Sequence, residues 1–306
     1  MSILVIGTIA YDSVETPEGN RESQLGGSAV YFALAASYFT KVQIVGVVGK
    51  DFHTSDLNLL KSHNIDINGI EISEGKTFRW KGNYKKNINE AITLDTQLNV
   101  LETFNPIIDN KLSNSENLFL ANVHPSLQHK VYNSMSTKLN FCALDTMNLW
   151  IDTTFNQLKN IINKVDAIII NENEAKTLSG ETNYINAAEN LRNLGARIVL
   201  IKRGEYGVSL FGEDFTFSAP AFPIKKVKDP TGAGDTFAGG FMGYLDLCKE
   251  INQKTLKSAT IIGSVMDSFT VEKFGIEKLS NLSKNDINQR FKSFVDLTKF
   301  NEKIEI

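Results

Sequence analysis

The chain has 306 residues, 42% hydrophobic and 22% charged, with a formal net charge of -3. That length fits one or two domains with a sizeable core, and the charge lacks the basic surplus of a nucleic-acid-binding surface. The two cysteines, Cys142 and Cys248, lie far apart, and His53, His63, His124 and His129 show no metal-ligand spacing. No zinc site or disulfide framework is indicated, and both thiols are expected to be buried as small hydrophobes in a reducing compartment.

In chain order, the first apolar run, ILVIG (3–7), is too short for a membrane span and has no basic flank of a signal peptide. It reads as a buried strand of a cytoplasmic protein. A polar insertion follows at 13–24. Helix-like stretches at 28–39, 54–63, 150–163 and 184–195 then alternate with strand-like runs at 42–48, 117–121, 140–145, 166–170 and 197–202. Continuous apolar strands alternating with helices predict a mostly parallel sheet covered on both faces. Residues 72–103 break the rhythm, being polar, aromatic and β-branched; with 13–24 they are expected to form a small antiparallel lid. From 233 the pattern is helical, at 233–249, 253–269 and 284–298. With no repeat or linker, residues 1–306 read as one α/β domain.

Several familiar sites are missing. The first strand ends in GTIAYD rather than GxGxxG, and there is no GxxxxGK[ST], HExxH or GxSxG. What stands out is DPTGAGDTFAGGF (229–241). Phe237, Phe241 and Leu245 recur at helical spacing after it, so Gly232, Ala233 and Gly234 fall at a helix N-terminus. There the free N–H groups and the dipole favour an anion. Taken alone, the loop is equally a glycine-rich turn capped by Asp235, with Gly239, Gly240 and Gly243 serving tight helix packing.

The wider pattern resembles the ribokinase-like, or PfkB, family of carbohydrate and nucleoside kinases along nearly the whole chain. The DxTGAGD run, Asp12 after the first strand, Gly26-Gly27 before the first helix, Asn171-Glu172-Asn173-Glu174 and Lys202-Arg203-Gly204-Glu205-Tyr206-Gly207 carry the resemblance. It implies a three-layer αβα sandwich with a mostly parallel central sheet and a small β lid. It further implies that the Gly232–Gly234 amides cradle the transferring γ-phosphoryl group of ATP while Asp235 takes the proton of the acceptor hydroxyl. Glu174, through water, and Asn171 would organise Mg²⁺ around the phosphates; an Asn followed three residues later by Glu is also a helix-capping arrangement. Lys202, Gly204, Gly207, Thr231, Ser258, Ala259, Ile262 and Gly263 are expected on the nucleotide side, the helical four of them alternatively as ordinary packing. Asp229 and Thr231 would hold a monovalent cation, usually K⁺, or else simply tie the turn.

On the acceptor side the resemblance assigns Asp12, Gly26 and Gly27 to polyol recognition. It departs from the family at Tyr31, which stands where many members carry Asn, and Tyr31 is expected to line the acceptor site in its place, with Phe78 and Trp80 as the other aromatic candidates should the acceptor carry a base. Arg79, Trp80 and Tyr84 of the lid are expected to close over the substrate, Arg79 alternatively meeting an anionic group. These readings predict a phosphotransferase acting on a hydroxyl of a small sugar or polyol. A nucleoside kinase is the alternative, and a non-catalytic sugar or nucleotide sensor on the same fold is the reading from another class. No nucleic acid or membrane partner is expected, and the lid edge could support a homodimer.

Overall fold

The computed structural model describes residues 2–85 and 87–299. In chain order it runs β1 (Ser2–Ile6), β2 (Ala10–Thr16), β3 (Gly19–Gly26), α1 (Ser28–Ser37), β4 (Lys41–Gly49), α2 (Thr54–Ser62), β5 (Ile65–Ser73), β6 (Phe78–Asn83), β7 (Ile92–Gln97), α3 (Asn110–Ser113), β8 (Asn117–Leu120), α4 (Pro125–Asn133), β9 (Phe141–Leu144), α5 (Asn148–Thr153), α6 (Phe155–Ile162), β10 (Ala167–Asn171), α7 (Glu172–Ser179), α8 (Tyr184–Asn193), β11 (Ile198–Lys202), β12 (Val208–Phe211), β13 (Thr216–Ala219), α9 (Ala233–Cys248), α10 (Gln253–Thr270) and α11 (Lys284–Thr298).

Among the described residues nine strands form one sheet, in the order β13-β12-β11-β10-β9-β8-β1-β4-β5. All neighbours from β11 to β5 are parallel, and β12 and β13 add an antiparallel edge. Strand side chains alternate between faces, and the core divides accordingly. Ile3, Val5, Phe119 and Ile169 pack under α1, α9 and α10. Leu4, Ile6, Leu120 and Ile170 pack under α4, α6, α7 and α8. The expected three-layer sandwich is therefore present.

The sheet differs from the sequence reading in detail. β5 and the β12–β13 hairpin were not read as strands, and residues 72–73 belong to β5 in the main sheet rather than to the lid. The stretch 150–163 is two short helices meeting at Thr154. Cys142 is buried as expected, but Cys248, at the end of α9, is only half-buried. The lid is a separate four-stranded sheet, β3-β2-β6-β7. It consists of two antiparallel pairs joined by a parallel pairing of β2 with β6.

Helix α9 lies against both α1 and α10 because its glycines leave room. A Cβ at Gly239 would lie 2.3 Å from the Phe32 carbonyl oxygen, and one at Gly240 would lie 2.8 Å from Met266 Cγ. Its far end is tied to the sheet by a buried carboxylate. Asp246 accepts hydrogen bonds from Asn117 Nδ2, at 2.6 Å, and from the Thr40 hydroxyl. That tie holds the α9 C-terminus at the start of β8, so its N-terminus points toward the carboxyl ends of the strands. Asp246→Ala leaves both donors without this acceptor in a buried place, and a loss of about 2–4 kcal/mol is expected in equilibrium denaturant unfolding.

Candidate active site

In open α/β sheets ligands bind outside the carboxyl ends of the strands, and the charged side chains of this protein gather there. Asp145 directly follows β9, Asn171 ends β10 and Lys202 ends β11. Lys202 Nζ lies 3.6 Å from Asp145 Oδ2, both side chains largely buried. Burial works against the Lys202 charge, but Asp145, Glu174 and Asp235 outweigh it and keep the ammonium protonated. Asn171 and Glu174 form a capping box on α7: the Asn171 side chain accepts from the Glu174 N–H at 2.8 Å, and Glu174 Oε2 accepts from the Asn171 N–H at 2.8 Å.

The carboxyl groups are crowded. Burial, with Asp145 and Asp235 adding to it, lifts Glu174 to about 8. Burial, with Asp145 and Asp12 adding to it, lifts Asp235 to about 7. Asp145 is raised by burial against the pull of Lys202. Groups shifted together by burial and like charge mark a place built to receive a cation or to move a proton.

The opposite wall is the start of α9. Gly232 takes the N-cap position with φ 75°, and no side chain caps the helix. The Ala233 N–H turns back to the Pro230 carbonyl at 3.1 Å, while Gly234 and Asp235 occupy first-turn positions whose N–H groups have no helical acceptor. The Asp235 N–H also meets its own carboxylate. A Cβ at Gly234 would lie 2.7 Å from Lys202 Nζ. Uncapped amides, a helix dipole and a buried ammonium thus converge on one spot, the combination that holds a phosphoryl group.

On the lid side, Asp12 is buried on β2 and accepts from the Gly27 N–H at 3.3 Å. Burial raises it to about 7, the Gly27 amide opposing and Asp229 adding. A Cβ at Gly26 would fall 2.0 Å from Asp12 Oδ2, so only glycine leaves that carboxylate its place. Asp229 is fully buried. Its Oδ1 accepts from the Thr231 N–H at 2.9 Å, and its Oδ2 accepts from the Gly275 N–H at 2.9 Å and Gln24 Nε2 at 3.3 Å. Three of its four lone-pair directions are occupied by protein donors. The pair Asp229 and Thr231 has the arrangement of a loop tie.

Comparison with known proteins agrees with this geometry. The family model "pfkB family carbohydrate kinase" matches residues 2–281. The chain belongs to the PfkB family. It is 31% identical to the cytidine kinase of Thermococcus kodakarensis over 252 residues, covering 80% of this chain and 88% of that one. The nucleoside kinase of Methanocaldococcus jannaschii is 25% identical over 290 residues, covering 90% and 92%. Its crystal structure superposes with a TM-score of 0.75 over 95% of this chain and 98% of that one. A structure described as ribokinase II of E. coli, in complex with ATP and Mg²⁺, gives 0.78 at 17% identity over 97% and 99%. As a PfkB kinase, the protein is a phosphotransferase with a hydroxyl acceptor.

Several of the expected residues have contacts of their own within the protein. Arg79 pairs in register with Tyr11, not with Asp12, so it projects from the Tyr11 face of the lid, opposite Asp12. Its guanidinium binds Asp51 Oδ2 at 2.9 Å, lies 5.3 Å from the Tyr11 ring centre and donates to Ser23 Oγ; it is not free for a substrate. Trp80 pairs with Asp12 and shares its face, half-buried, with Nε1 donating to Thr93. Along α10, Ser258 sits by Tyr244 near the end of α9, while Thr270 bonds Thr236 at the start. The two helices run antiparallel, which puts Ser258 and Ala259 roughly three turns from Asp235. Gly263 has Phe237, not a ligand, where a Cβ would be (2.8 Å), and Ala259 and Ile262 are buried in the core.

Gly204 and Gly207 shape the exposed turn after β11, with φ of 54° and 90°. Lid residues reach over it: a Cβ at Gly204 would lie 2.5 Å from Asn89 Oδ1, and Asn173 Nδ2 donates to Glu90 at 2.6 Å. Asp145 and Asp267 belong to none of the sequence motifs. Asp267 on α10 feels the Lys202 charge, although burial dominates and raises it well above the carboxylate range. An aspartate directly after a parallel strand is the signal that would have found Asp145. Because Asp12, Asp235 and Glu174 hold protons more tightly in the folded chain than in the unfolded one, their stabilising effect is complete below about pH 4 and lost as pH rises through 7 to 8. Thermal unfolding of the unliganded protein is therefore expected to shift to lower temperature from pH 5 to pH 8, less so in Glu174→Gln.

Proposed function

We propose that this PfkB kinase uses ATP with Mg²⁺ to phosphorylate a hydroxyl of a nucleoside. The observation that carries this reading is the lid face: the register of β2 with β6 puts Trp80 on the same face as Asp12, its half-buried flat ring lying over Gly82 and held by Thr93. A carboxylate accepts hydrogen bonds from adjacent sugar hydroxyls, and an aromatic surface on the same lid face suits a base attached to that sugar. Two relatives that match most of the chain, a cytidine kinase and a nucleoside kinase, support it.

Each side chain then has one task. The amides of Gly234 and Asp235, with Lys202, meet the negative charge on the transferring phosphoryl group. Asp235 accepts the proton of the attacking hydroxyl, and its pKa of about 7 suits a base that must take a proton and release it near neutrality. The loop at Gly204 and Gly207 and the first turn of α7 face the nucleotide. Among the described residues no three His, Cys, Asp or Glu side chains could hold a metal ion by themselves. Glu174, buried and crowded by like charge, fits a metal that arrives with the phosphates and keeps its waters. Mg²⁺ supplies charge neutralisation on those phosphates. Lid closure excludes water as a competing acceptor.

A free sugar or polyol as acceptor is the second reading, favoured by Asp12, Gly26 and Gly27 alone. A screen of nucleosides, pentoses, hexoses and polyols with ATP and Mg²⁺ separates the two: the reading predicts nucleosides as the best acceptors, and turnover on free sugars alone would overturn it. Asp235→Asn is expected to lower kcat by about 10²–10⁴ while leaving ATP affinity within a few-fold. Retention of normal turnover would remove Asp235 from the role of base. We also propose a homodimer through the lid, because edge strand β7 is exposed along its length, with Ile92 and Leu94 outward. Light scattering should report a dimer that Leu94→Lys dissociates.

A further inference from the structure

Asp145 holds Lys202, and its own place is set by a residue outside the site. Helix α4 follows β8, begins with Pro125 and buries Val131 in the core. It turns Gln128, fully buried, back onto the ends of β8 and β9. Gln128 Nε2 donates to the carbonyl oxygens of Leu120 at 3.2 Å, Ala121 at 3.0 Å and Asp145 at 3.0 Å. Two protons serve three acceptors, so one proton is shared. The amide fits only this way round, since turning it over would set Oε1 against three carbonyl oxygens. Oε1 itself is buried without a partner among the described residues, an uncommon state for a polar atom.

These bonds fall where two parallel strands part. The Asp145 N–H still donates to the Leu120 carbonyl, at 2.9 Å. Beyond it the chain leaves β8 for α4 and β9 for α5, and the Gln128 amide spans the gap. Asn122 bridges the same two segments further out, donating to Met147 Sδ at 3.2 Å and accepting from Trp150 Nε1 at 2.9 Å. Asp145 is thus held by both its N–H and its carbonyl. Its Oδ1 accepts from the Thr146 N–H at 2.8 Å, which leaves Oδ2 for Lys202. That ion pair, at 3.6 Å, is longer than an ordinary hydrogen bond and does not fix the carboxylate by itself. The backbone fixes it, and Gln128 holds the backbone.

We propose that Gln128 is a positioning residue for phosphoryl transfer: its amide fixes the Asp145 backbone, so that the Asp145 carboxylate holds Lys202 at the start of α9. Being fully buried, Gln128 meets no phosphate or acceptor itself. Methionine, of similar length and volume, would fill its place but leave the three carbonyls without this donor. Asp145 would then be free to turn from Lys202. The ammonium would be shared by Glu174 and Asp235, the second of them the proposed base. The inference rests on the phosphoryl cradle assigned above, and not on whether the acceptor is a nucleoside or a sugar.

The test is Gln128→Met, alone and combined with Asp145→Asn, read by kinetics on the best acceptor found by screening and by crystallography. Gln128→Met is expected to lower kcat by roughly ten- to a hundredfold, with KM for ATP and acceptor within about threefold of wild type. In its crystal structure Asp145 Oδ2 is expected to lie further from Lys202 Nζ. Added to Asp145→Asn, the same change is expected to lower kcat by less than about twofold, because its route is already cut. Wild-type kcat in Gln128→Met, an undiminished further loss in the Asp145→Asn background, or an unchanged Asp145–Lys202 pair overturns the proposal. Should Gln128→Met not fold, Gln128→Asn, with the same amide one methylene shorter, carries the comparison. If neither variant unfolds cooperatively, Gln128 serves the fold alone and the proposal falls. Wild-type turnover in Lys202→Met would refute the cradle, and this proposal with it.

Discussion

The arrangement depends on one buried ammonium. Lys202 ends β11 among Asp145, Glu174 and Asp235, with its Nζ over the backbone of Gly234. An isolated buried lysine would lose its proton; the surrounding carboxylates prevent that, and the lysine in turn limits how far they repel one another. The cluster is poor in positive charge relative to its acids, which suits a site that receives Mg²⁺ with phosphates rather than one that is complete alone. A purely structural ion pair would not need an uncapped helix N-terminus aimed at it. Here α9 supplies that terminus, and the Asp246 tie to Asn117 fixes its direction from the far end.

The proposed acceptor half is built on different terms. Its carboxylates Asp12 and Asp229 come from β2 and the loop before α9, and Gln24 of the lid bonds Asp229 directly. The lid is therefore linked to the phosphoryl cradle through Gln24–Asp229 and Tyr84–Thr231, two contacts distant in sequence.

Much of this was legible in the sequence, for identifiable reasons. Parallel strands buried on both faces read as unbroken apolar runs, so β1, β4, β8, β9, β10 and β11 were visible. The DPTGAGD loop and the helix after it fixed where the backbone amides point. What was missed depends on orientation. Arg79 and Trp80 are adjacent, and only the pairing of β6 with β2 decides which one faces Asp12; strand alternation already implied that they could not both do so. The β12–β13 hairpin is too short and too mixed in polarity to stand out. The placement of Tyr31, its ring against Gly232 and its hydroxyl buried without a partner among the described residues, is invisible in any sequence pattern. So are the three carbonyls that Gln128 reaches.

The central claim is that the α9 N-terminus and Lys202 together form the phosphoryl cradle, with Asp235 facing the acceptor. The most direct measurement is a crystal structure with ADP, Mg²⁺, fluoroaluminate and the acceptor found by screening. The account predicts fluoroaluminate within hydrogen-bond distance of the Gly234 amide and Lys202 Nζ, and the acceptor oxygen between it and Asp235. Fluoroaluminate seated away from the start of α9, or an acceptor hydroxyl out of reach of Asp235, would contradict it.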